Sequence, residues 1–64
     1  MLTQDQIYEG SLVRYIMSTP PGYTNELAVI SKDIHSDLYI VTFLKVDPYR
    51  TYGVNPLEWD VVIP

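Results

Sequence analysis

No cysteine occurs in this chain, and at 64 residues that absence constrains the fold more than any motif present. A domain of this size buries only about 60% of the surface its unfolded chain exposes. Such domains commonly lean on disulfides, a metal or a partner. Without thiols there is no disulfide framework and no thiolate metal site. His35 is the single histidine, so a metal site would rest almost wholly on carboxylates. That leaves close packing, a partner, or a second copy. The length allows one domain, residues 1–64, with residues 1–9 as an N-terminal turn or arm.

Charge narrows the partners. Four basic residues stand against eight acidic ones, for a net charge of −4. A grip on a phosphate backbone needs clustered Lys and Arg, whereas Arg14, Lys32, Lys45 and Arg50 are scattered among acids. An anionic membrane surface is disfavoured for the same reason. No apolar run approaches the roughly 20 residues that span a bilayer. The start, Met-Leu-Thr-Gln-Asp-Gln, lacks the basic and apolar regions of a signal peptide. The expectation is a soluble, cytoplasmic protein without membrane insertion. Lack of cysteine fits a reducing compartment.

Along the chain, breakers follow one another closely. Thr3-Gln4-Asp5-Gln6 has the capping-box pattern and predicts one turn of helix over Ile7 and Tyr8. Glu9-Gly10-Ser11 ends it, and a strand is predicted over residues 12–17. Ser18-Thr19-Pro20-Pro21-Gly22 is the strongest breaker and predicts an exposed loop. A second strand is predicted at 27–32. The residues Asp33-Ile34-His35-Ser36-Asp37 have hairpin-turn chemistry. Residues 38–46, dense in β-branched and aromatic side chains, predict the longest strand. Asp47-Pro48 stops it, a short extended piece follows near Tyr52, and Asn55-Pro56-Leu57-Glu58 has an N-cap and a proline at the first helical position. Val61-Val62-Ile63 predicts a terminal strand. Five short strands with a 3₁₀ turn before the last describe an all-β barrel.

The central strands are apolar on both faces, yet 64 residues do not cover both sides of a sheet. Some of Leu12, Ile16, Leu27, Val29, Tyr39 and Val41 are therefore expected to face outward. A contiguous outward apolar patch marks a contact surface.

The run from Gly10-Ser11-Leu12-Val13-Arg14 through 27–33 and 38–43 to Asn55-Pro56-Leu57-Glu58 resembles an SH3-like barrel of the KOW/Tudor type. Within that group it is similar to the PsaE family, an accessory subunit on the acceptor side of photosystem I. The likeness lies in the Gly10-to-Arg14 entry, in Tyr23 and Asn25 of the first loop, and in Val41, Phe43, Lys45 and Val46. Thr42 stands where that family carries an arginine, and its members are more basic. The resemblance implies a five-stranded SH3-like barrel. By analogy it implies docking within photosystem I or KOW-type nucleic-acid or ribonucleoprotein binding. A viral or otherwise diverged SH3-like protein recruited into a larger particle has the same features.

No catalytic constellation is present, since a nucleophile here lacks a base to activate it. His35 beside Asp33 and Asp37 is read as turn chemistry on a solvated loop, not as a cation site or a general base. Six tyrosines and one tryptophan are many for this length. Tyr49, Tyr52 and Trp59, with Glu58 and Asp60 beside them, have the residue types of a cage for a methylated cation. Trp59 and Tyr52 are read more simply as core or rim aromatics that close a small barrel. The candidate partner-binding residues are Arg14, Tyr15, Tyr23, Tyr39, Tyr49, Arg50, Tyr52 and Trp59, since aromatic and arginine side chains dominate protein interfaces. The loop at 20–22 and the segment 47–53 are the candidate contact loops. The expected function is non-catalytic: a protein-protein docking or assembly module, a small accessory subunit of a larger complex, without a cofactor. Its expected partner is another protein or a second copy.

Overall fold

The computed structural model describes residues 1–19, 21–46 and 50–64, with residues 4 and 50–52 described by their backbone alone. The architecture is all-β, as expected, and its ladders are antiparallel. Strands β1 (Leu12–Tyr15), β2 (Leu27–Lys32), β3 (Tyr39–Phe43), β4 (Arg50–Tyr52) and β5 (Trp59–Ile63) form a sheet in the order β4-β3-β2-β1-β5. The first four make a meander, and the last returns to pair with the first. Among the described residues no ladder joins β4 to β5, so these two strands are the edges of the sheet.

Local chemistry sets the strand ends. Gly10, at φ +93°, donates its N–H to Ile30 O at 2.8 Å, and Ile30 N–H donates to Ser11 O at 3.0 Å. The glycine tolerates this left-handed backbone because it has no Cβ. The N-terminal segment is thereby tied to the middle of β2. After β1, Pro21 and Gly22 form a turn, with Gly22 also at φ +93°. Asn25, at φ 68°, ends the loop by donating its N–H to Tyr15 O at 2.8 Å. Asparagine is among the few side chains that accept the left-handed region readily. Between β2 and β3, Asp33 closes the hairpin: its N–H donates to Leu38 O at 2.8 Å, and its own carbonyl accepts Asp37 N–H at 3.0 Å.

The two short turns depart from and follow the sequence in different ways. The first 3₁₀ turn covers Gln4–Gln6 and stops before Ile7 and Tyr8, where the capping pattern had placed a helical turn. The capping contact itself forms, with Thr3 N–H donating to Gln6 Oε1 at 2.8 Å. Gly10 and Ser11 then pull the chain into the sheet before a helix can lengthen. The second turn, Pro56–Glu58, has its expected N-cap: Asn55 Oδ1 accepts Leu57 N–H at 3.1 Å.

Alternation along the strands sorts the side chains. Val13 and Tyr15, Ala28 and Ile30, Val41 and Phe43, and Trp59 point inward and are buried, joined by Leu2 from the N-terminal segment. Val41 is thus core, although it was among those expected to supply the outward patch. Tyr39 lies half-buried against the same core. Leu12, Leu27 and Val29 are on the other side. The total accessible surface is 4274 Å², against about 4,200 Å² for a compact protein of this mass. Exposed apolar groups are therefore a matter of placement and not of loose packing.

The core makes a direct prediction. Trp59→Ala empties the largest buried site and should cost about 3–5 kcal/mol, enough to abolish cooperative unfolding in so small a domain. Ile34→Ala, at a tip residue 90% exposed, should change stability by no more than about 0.5 kcal/mol. Urea melts followed by tryptophan fluorescence for the second variant, and by far-UV circular dichroism for both, check this.

Candidate docking surface

The aromatic residues gather at one end of the core. Tyr15 and Trp59 lie with ring centroids 4.9 Å apart, Phe43 and Trp59 at 5.5 Å, Tyr15 and Phe43 edge-to-face at 5.7 Å, and Tyr23 and Phe43 at 4.9 Å. Such tilted and edge-on pairs are favourable geometries for aromatic quadrupoles. The Tyr15 hydroxyl donates to Thr19 O at 2.7 Å, and Thr24 Oγ1 donates to Met17 O at 2.7 Å, which folds the loop between β1 and β2 back over the cluster. Trp59 is 1% exposed. The residue is filled space with no open ring face for a cation.

The eight candidate contact residues therefore separate. Tyr15 and Trp59 are core, Tyr23 and Tyr39 are half-buried against it, and Arg14 faces outward. The Lys32 ammonium sits 5.8 Å from the Tyr39 ring centroid, within cation–π range. Tyr49 lies outside the described residues, as do residues 47 and 48 of the 47–53 contact segment, and residues 50–52 are described by their backbone alone. Arg50 and Tyr52 belong to β4, opposite Thr42 and Ile40.

What the fold brings together instead is an apolar band on the outward side of the sheet. Register places Ile63, Leu12, Val29 and Thr42 directly opposite one another across β5, β1, β2 and β3. The neighbouring row holds Asp60, Arg14 and Leu27. Leu44 continues that row, since its N–H donates to Leu27 O at 3.0 Å and the two side chains line one shallow cleft with Asn25, Glu26 and Lys45. Ile63 is 59% exposed and Leu44 56% exposed.

Ile63, Thr42 and Leu44 were missing from the sequence-based candidates. Leu44 and Thr42 were legible from period two, because each flanks the inward Phe43. Ile63 was not. Val13 pairs with Val61 but Leu12 pairs with Ile63, so Val62 is an extra residue in the ladder. This bulge turns Ile63 to the side opposite Val61.

Charges around the band are few and mostly engaged. Asp60 receives the N-terminal ammonium of Met1, and Arg14 Nη2 lies 3.7 Å from its other oxygen. The ammonium contact, more than Arg14, holds the Asp60 carboxyl below its usual range. In the β2–β3 turn, Asp33 Oδ2 accepts the Ser36 hydroxyl at 2.6 Å and Oδ1 accepts His35 N–H at 3.1 Å. The Ser36 bond first, then His35, lowers the Asp33 pKa. Lys32 pairs with Asp37 at 3.1 Å, which raises the lysine pKa by hydrogen bonding and attraction. His35 contributes its backbone to this turn, and among the described residues no group of three His, Asp or Glu is placed to hold a metal ion.

No family model, curated protein or solved structure matches the chain. No helix among the described residues is long and apolar enough to cross a membrane.

The carboxylate contacts fix the pH dependence. Asp33 and Asp60 have lowered pKa values in the fold. Their stabilisation is complete above the ordinary carboxylate pKa, about 4, and is lost as pH falls through the lowered folded values. Urea midpoints measured between pH 6 and pH 2 should fall on the acid side, and the fall should be shallower in Asp33→Asn and in Asp60→Asn. An unchanged acid limb in both variants would contradict the assignment.

Proposed function

We propose that this chain is a non-catalytic docking or assembly module, built as an SH3-like barrel and serving as a small accessory subunit of a larger complex. The observation that carries the reading is the apolar band across β5, β1, β2 and β3, with Ile63, Leu27 and Leu44 reaching solvent. Isolated exposed leucines are ordinary on protein surfaces, whereas Ile63, Leu12 and Val29 are neighbours across three strands, with Leu27 and Leu44 in the row beside them.

The barrel reading draws support from topology. A four-strand meander whose fifth strand returns to β1, entered through a 3₁₀ turn, is the order in which an SH3-like barrel closes. The described backbone supplies that order, and closure would bring β4 and β5 round the same core. The partner is proposed to be protein and not nucleic acid, because two of the four cations already face carboxylates, Arg14 at Asp60 and Lys32 at Asp37. Among the described residues no continuous cationic track is left for a phosphate backbone.

The test has two parts. Tagged protein recovered from its native source at moderate salt should bring down a defined assembly at fixed stoichiometry, and Val29→Lys should release it. The purified chain should also bind the dye ANS while keeping a cooperative melt. A stable monomer that binds no dye and recovers no partner would end this reading.

A further inference from the structure

We draw no further inference here: the strongest candidate, the outward side of the sheet where Leu12 and Val29 stand beside the shallow cleft of Leu27 and Leu44, is an unpartnered apolar face, and nothing in the structure shows what covers it.

Discussion

Trp59 is the residue on which the remaining packing depends. It opens β5, the strand that arrives last in the chain and pairs only with β1. Its ring meets Tyr15 from β1 and Phe43 from β3. One side chain thus bridges strands that no ladder connects, because β2 lies between β1 and β3 in the sheet. Without that bridge β5 is held by a single ladder that already contains a bulge. Tyr23 then packs on Phe43 from the loop above, and the Tyr15 hydroxyl anchors the same loop at Thr19. The order of the β1–β2 loop is a consequence of the aromatic cluster as much as of its own turn residues.

The N-terminal segment completes the core from the other direction. Leu2 is buried, and its N–H donates to Pro56 O at 3.0 Å, just before β5 begins. Ser11, also buried, ties Tyr8, Gln6 and Ile30 together through its backbone and hydroxyl. In a domain this small, residues outside the strands cannot be spectators. They cap the open end of a sheet too short to close over its own core.

The sequence was informative wherever local chemistry decides the outcome. Leu27–Lys32 was legible residue for residue, because a β-branched run lies between a left-handed Asn25 and the capping Asp33. The Asn55 cap and Pro56 turn were legible for the same reason. Strand lengths were less so. Residues 38–46 have uniform β propensity, yet β3 covers only Tyr39–Phe43, which is the stretch that pairs with Ala28 to Lys32 of β2, with one further bond from Leu44 N–H to Leu27 O. A strand ends where its neighbour ends, which is tertiary information. The aromatic candidates show the same limit. Tyr15 and Trp59 have the composition of an interface, but alternation against Val13 and the ladder of β1 with β5 turn both inward.

The bulge at Val62 has the widest effect for one residue. Strict alternation along β5 would put Ile63 on the side of Trp59 and Val61, inside, and leave Val62 beside Asp60 on the outward side. The extra residue reverses this after Val61, so that Ile63 stands opposite Leu12. The outward row then runs from Ile63 through Leu12 and Val29 to Thr42, where a regular strand would have set Val62 opposite Leu12 in place of Ile63. A bulge costs a ladder bond and adds local twist. Here it also exchanges the residue at the end of the outward row, isoleucine for valine, so which side chain stands opposite Leu12 is set by backbone geometry that side-chain composition alone does not encode.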